Sequence, residues 1–136
     1  MAEKDNLKEM EKGHQKVIEL VSSQYKQILN SSEQAIYIYL DDHHKICNKN
    51  FSLMLGYSSP EEWAKVPGSF PELFVMKDSQ MKLVENYQLA MEKFIASKMQ
   101  INWKKKSGTS VKSEVILVPI SFEGHNMAIH FITIIK

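Results

Sequence analysis

Leu7, Met10, His14, Val17, Val21, Gln24 and Ile28 recur at intervals of three and four, with the charged Lys8, Glu9, Lys12, Lys16 and Glu19 between them. That spacing lays an apolar or neutral stripe along one helix face. It predicts a helix over residues 1–33 whose seam suits a coiled coil. Ile18, Leu20, Tyr25 and Leu29 widen the apolar face further on, so the last turns are expected to pack on the rest of the chain. Gly13 weakens the helix near its start, and Asn30-Ser31-Ser32 marks its end. Such a helix needs a surface to cover, either a sheet of its own chain or the same helix of a second copy.

The period then changes. Ala35 to Leu40 is rich in Ile and Tyr between polar flanks and reads as a strand, followed by a turn at Asp41 to His44 and a short strand at Lys45 to Asn48. Lys49 to Leu55 reads as a helix stopped by Gly56. Ser59-Pro60-Glu61-Glu62 has the hydroxyl cap, the early proline and the acids of a helix start. Pro67, Gly68 and Pro71 turn the next stretch into a loop. From Asp78 to about Ser97, Met81, Val84, Tyr87 or Gln88, Met91 and Ile95 recur helically and predict the longest core helix. Three strands follow, over Lys98 to Lys105, Ser110 to Phe122 and Met127 to Ile135, separated by turns at Ser107-Gly108 and Glu123-Gly124. The last is apolar on both faces and belongs in mid-sheet. The expected fold is α/β in the α+β sense. One five-stranded antiparallel sheet carries helices on one face, and the amphipathic N-terminal helix covers the other. The division falls at residue 30, with the helix before it and the domain from 31 to 136.

Composition narrows the function classes. At 43% hydrophobic and 24% charged, the chain reads as an ordinary globular domain, with no apolar run long enough to span a bilayer and no apolar leader at its mixed-charge start. A single cysteine, Cys47, excludes an internal disulfide framework and fits a reducing cytoplasm. The net charge of +1 gives no reason to expect nucleic acid, and Lys104-Lys105-Lys106 before Ser107-Gly108 reads as a solvated hairpin tip. No phosphate loop, His-Glu-x-x-His helix or nucleophile elbow is present, so no enzyme is predicted.

Several segments carry a family resemblance. Leu40-Asp41, Lys45-Ile46, Asn48 and Asn50-Phe51 resemble the first hairpin and helix start of the PAS domains. Leu55-Gly56-Tyr57-Ser58 followed by Pro60-Glu61-Glu62, the turn Lys105-Lys106-Ser107-Gly108-Thr109 and the strand Val118-Pro119-Ile120 resemble further PAS segments in the same order. The resemblance runs over roughly residues 30 to 136. It implies a sensory and dimerisation module in signal transduction, one that passes a change in its core through the sheet to the N-terminal helix. A homodimer through that helix is the expected partner arrangement, with Leu7, Met10, Val17, Val21 and Ile28 in the seam and Tyr37 and Tyr39 on the sheet face beneath. A downstream signalling protein or domain is the further partner implied.

The resemblance also implies a cavity between helices and sheet. Ile36, Ile38 and Leu40 are expected to face it, with Met81, Val84, Met91, Trp103, Val115 and Leu117 as further lining and a small hydrophobic molecule as ligand. The same residues equally suit a filled core, since close packing is the ordinary state of a small domain. The flavin photosensors of the family carry a reactive Cys in an Asn-Cys-Arg-Phe motif, which this sequence lacks. The haem-binding members ligate through a His on the long core helix, where none occurs between Asp78 and Ser97. His130 is the remaining candidate for haem or another ligand, and its strand register leaves open whether it faces the cavity or the N-terminal helix. Asp41-Asp42-His43-His44 contains metal-capable residues, but neighbours in one tight turn diverge, so no metal site is predicted there.

Overall fold

The computed structural model describes residues 2–136, with side chains from residue 8 onward. The elements run α1 (Ala2–Ser31), β1 (Ala35–Asp41), β2 (His44–Cys47), α2 (Lys49–Met54), α3 (Pro60–Ala64), α4 (Phe70–Phe74), α5 (Lys77–Lys93), β3 (Ser97–Lys104), β4 (Ser110–Phe122) and β5 (His125–Ile134). The strands form one antiparallel sheet in the order β2-β1-β5-β4-β3. The doubly apolar β5 lies at its centre, as its composition requires.

Side chains that cap the short helices also tie them to the sheet. The Asn48 Oδ1 accepts from the Phe51 N–H, capping α2, and from the Ile36 N–H of β1, both at 3.0 Å, while its Nδ2 donates to the Gln34 carbonyl at 2.8 Å. Ser59 caps α3 by accepting from the Glu62 N–H at 3.0 Å. Gly56 stops α2 at φ +88°, a left-handed conformation that costs a side-chain-bearing residue steric energy.

Two apolar clusters result. The inner one lies between the sheet and helices α2 to α5 and includes Phe51, Trp63, Phe74, Ile101, Trp103, Val115 and Leu117. The outer one joins Val17, Val21 and Leu29 of α1 to Ile36, Ile38, Met127 and Ile129. The centre of the α1 stripe is thus spent on the chain's own sheet, where Val21 is fully buried. Met10 and Ile28 of the expected seam stay exposed, as does Leu20, and the Leu7 side chain lies outside the described residues.

The largest departures from the sequence reading lie on either side of the long core helix; the other boundaries shift by one or two residues. Residues 70–74 form α4 rather than a loop, with Pro71 in its first turn. α5 stops at Lys93, four residues short of the predicted end, because Phe94 turns left-handed (φ 55°) and frees Ser97 to begin β3.

Candidate functional site

β1 and β5 are paired so that Tyr37 stands opposite His130, Ile36 opposite Phe131 and Ile38 opposite Ile129. Alternation along a strand sends neighbours to opposite faces. Tyr37 and His130 point to the helical side, while Ile36, Ile38 and Ile129 point to α1. The Tyr37 and His130 rings stack at 3.9 Å with an interplanar angle of 10°. Phe51, Phe70 and Trp103 surround Tyr37 at ring separations of 4.7, 5.2 and 5.6 Å.

Beside this stack is a cavity of about 50 Å³, walled by Tyr39, Phe70, Pro71, Leu83, Val84 and Tyr87 as well as Tyr37 and His130. Two of its polar groups are already engaged. The Tyr39 hydroxyl donates to Asp42 Oδ1 at 2.7 Å, and the Tyr87 hydroxyl to the Leu40 carbonyl at 3.1 Å. The Tyr37 hydroxyl and His130 Nδ1 are buried with no hydrogen-bond partner among the described residues. A buried polar atom left unpaired costs about 1–3 kcal/mol, and both of these atoms belong to residues that line the cavity.

The cavity is electrically neutral. Burial pushes the His130 imidazole down to about 3. Burial likewise pushes the Tyr37 phenol well above its ordinary value, and burial followed by the Tyr39–Asp42 hydrogen bond raises Tyr39. Tyr87 is pushed up to about 12, by burial and then by the nearby Asp41 and Asp42. None of these groups is poised to exchange a proton near neutral pH, so the arrangement suits hydrogen bonding to an uncharged guest rather than acid–base chemistry.

The expected lining divides. Val84 and His130 reach the cavity. Trp103, Val115 and Leu117 are buried in the inner cluster, and Met91 packs against it. The faces of β1 are the reverse of the expectation: Ile36 and Ile38, with the half-buried Leu40 beside them, belong to the outer cluster, and Tyr37 and Tyr39 face inward. Large flat rings fit the aromatic pocket, whereas the β-branched isoleucines fit the shallow seat under Val17 and Val21. Met81 is 72% exposed, at the margin of an α5 face that presents Ser79, Leu83 and Ala90 to the core together with Val84, Tyr87 and Met91 of the predicted stripe. Phe70, Pro71 and Leu83 entered the site unforeseen; the Pro71-Glu72 pair after Ser69-Phe70 was the available sign of a helix start there.

A haem does not fit this site. Pockets that enclose ligands of that scale run to roughly 300–1,000 Å³, and His130 has the Tyr37 ring stacked on its face at 3.9 Å. Cys47 is buried in the inner cluster on β2, and burial raises its thiol pKa. Among the described residues no helix is long and apolar enough to cross a membrane.

No protein-family model and no curated protein matches the sequence. Solved structures do match in fold. A PAS domain from a two-component sensor histidine kinase superposes with a TM-score of 0.63 at 13% identity, covering 86% of this chain and 98% of that one. The PAS domain of an HTR-like protein from Haloarcula marismortui gives 0.61 at 20% identity, covering 91% and 99%. Cycle PAS-B from Drosophila melanogaster with bound ethylene glycol gives 0.61 at 12% identity, covering 74% and 99%. The fold of this chain is the PAS fold, an α+β fold built on a five-stranded antiparallel sheet.

Proposed function

We propose that this chain is a sensory signalling module rather than an enzyme, and that it reads occupancy of the Tyr37–His130 cavity through the position of α1. One observation carries the reading. The β1–β5 pair bears two unpartnered polar atoms on its inner face, Tyr37 Oη and His130 Nδ1, and the seat of α1, Ile36, Ile38 and Ile129, on its outer face. A guest that hydrogen-bonds to Tyr37 or His130 shifts residues that alternate directly with those under the helix. The PAS fold of the sensor proteins described above supports the same reading.

The ligand class follows from volume and lining. A water needs about 10–15 Å³ of such space, so the cavity of about 50 Å³ holds a molecule of a few non-hydrogen atoms. Its walls are mostly apolar, and the unpaired Tyr37 hydroxyl and His130 Nδ1 buried beside them favour a short hydroxyl- or carbonyl-bearing molecule among the small hydrophobic ligands expected from sequence. The ethylene glycol of Cycle PAS-B is a molecule of this scale. Signalling is completed by a second copy of the chain, paired along the edge of α1 that its own sheet leaves exposed, at Met10, Leu20 and Ile28.

Native mass spectrometry of the purified chain, beside the denatured mass of the same sample, tests both parts. The expected spectrum shows twice the chain mass plus a small excess that vanishes on denaturation and is absent from His130→Phe. A native mass with no excess, even after incubation with small diols and alcohols, overturns the ligand reading. A monomer at micromolar concentration overturns the pairing.

A further inference from the structure

The turn between β1 and β2 separates its two acids. The ladder register shifts between Tyr39 and Asp41, and Asp42 turns inward, where its Oδ1 accepts from the Tyr39 hydroxyl and the Phe70 N–H. Asp41 turns outward, toward α1. Its Oδ1 lies 2.8 Å from His44 Nδ1 and its Oδ2 lies 3.0 Å from His14 Nδ1, a residue 27 positions away on α1. His125, at the start of β5, packs edge to face on His14 at 5.3 Å.

We propose that His14, Asp41 and His44 form a binding site for a divalent transition-metal ion of the zinc class. One ligand atom from each residue lies within 4.8 Å of the others. Around a tetrahedral ion with bonds of about 2.0–2.1 Å, neighbouring ligand atoms stand about 3.3 Å apart; the two carboxylate–imidazole distances here are 3.0 and 2.8 Å. Two imidazoles on one such ion have ring centres about 5 Å apart by the same geometry, and those of His14 and His44 are 5.4 Å apart. Little rearrangement separates the hydrogen-bonded triad from a metal-bound one. Each imidazole passes from its Nδ1–H to its Nε2–H tautomer, and the ion takes the place of the shared protons.

The surroundings suit that chemistry. Two imidazoles and one carboxylate are donors that zinc takes in sites that keep an open position, and the same set also accepts iron(II). The His43 N–H donates to Asp41 Oδ1 at 2.9 Å and fixes the carboxylate's orientation, as the outer partners of metal ligands do. His44 is almost fully buried, whereas the His14 and Asp41 side chains are 24% and 34% exposed, leaving the fourth position open to solvent. Because His14 comes from α1 and the other two ligands from the β1–β2 hairpin, a bound ion pins the helix to the sheet edge. The site does not depend on the reading of the cavity, which lies on the opposite face of the sheet.

The test uses the tag-free full chain with Co²⁺ and Zn²⁺ as probes. Co²⁺ is expected to give the visible absorption of a low-coordinate ion, Zn²⁺ is expected to displace it, and the melting temperature should rise by about 10 °C with Zn²⁺ at a hundred times Kd. Loss of an outer-shell partner alone typically costs 10–100-fold in affinity, so His14→Ala and His44→Ala should each weaken Zn²⁺ binding at least about 100-fold. Glu85→Gln, which neutralises an exposed carboxylate on α5 away from the site, should leave it unchanged. His14 lies on the half-exposed shoulder of α1, so its variant keeps the test decisive if His44→Ala fails to fold. Zn²⁺ binding that is no tighter than millimolar, or that His14→Ala leaves unaltered, overturns the proposal.

Discussion

Replacing His130 by Phe should remove a large part of the acid sensitivity of this domain. In the folded chain the imidazole is fully enclosed, stacked on Tyr37, and burial depresses its pKa from 6.5 to about 3. The unfolded chain binds a proton at the ordinary value and the folded chain does not. The resulting stabilisation is therefore complete above pH 6.5 and is lost as the pH falls toward 3. Each unit in that window is worth about 1.4 kcal/mol, so His130 alone should cost the folded state about 2 kcal/mol at pH 5 and about 3 kcal/mol at pH 4. Phe keeps an aromatic ring on Tyr37 and carries no titrating proton.

The assay is urea unfolding of the natural chain and His130→Phe at matched pH values from neutral to 4. The measured quantity is the difference between the two stability curves. Asp41 and Glu62, whose carboxyls are also held low, contribute to both proteins and cancel in that difference. Curves that stay parallel from pH 7 to pH 4 would refute the reasoning, because they would mean that the imidazole accepts a proton in place without penalty.

Three further outcomes follow from the packing. Val21→Ala empties a fully buried position under α1 and should cost about 2 kcal/mol in chemical denaturation; a loss under about 0.5 kcal/mol would show that the helix does not hold to the sheet. Asn48→Ala strips the cap of α2 and leaves the buried Ile36 N–H unpaired, for an expected loss of about 2–3 kcal/mol in the same measurement. Ser113→Ala takes the acceptor from the Trp103 Nε1–H, 2.7 Å away, and should cost about 1–3 kcal/mol with a changed tryptophan emission; an unchanged spectrum would argue against that hydrogen bond.

Residues whose roles are settled within a few positions were legible in the sequence. Ser59 and Glu62 announced the start of α3, Gly56 the end of α2, and the alternation from Ser110 to Phe122 gave β4 its bounds. The faces of β1 were not legible, because Ile-Tyr-Ile-Tyr is apolar on both sides and carries no alternation to read. What decides them is the aromatic pocket of Phe51, Phe70 and Trp103, assembled from three other elements. α5 misled for a related reason. Met81 and Leu83 are equally apolar in the sequence, and only the position of the sheet selects Leu83 for the core. The cluster on Asp41 joins a helix to a hairpin, so spacing within the turn alone argued against a site there.

The cavity and the Asp41 cluster lie on opposite sides of the same strand, and α1 packs over the second of them. Tyr37 and Asp41 are four residues apart on β1, one beside the cavity and the other beneath α1, and the register shift after Tyr39 is what turns Asp41 outward. In an unbroken strand residues four apart share a face, and Asp41 would point with Tyr37 toward the helices. A bulge bends its strand and re-aims the side chains beyond it. The local irregularity therefore gives α1 two separate contacts through which the proposed inputs would act, packing of Val17 and Val21 over Ile36 and Ile38 and an Asp41-centred contact at His14. If both inputs act on the helix, hydrogen exchange along α1 should respond to each separately. Loss of the His14 contact should loosen the turns around His14, and His130→Phe should change protection around Val17 and Val21. A uniform change along the helix in both variants would mean that α1 moves as one rigid lever and that the bulge has no part in dividing its control.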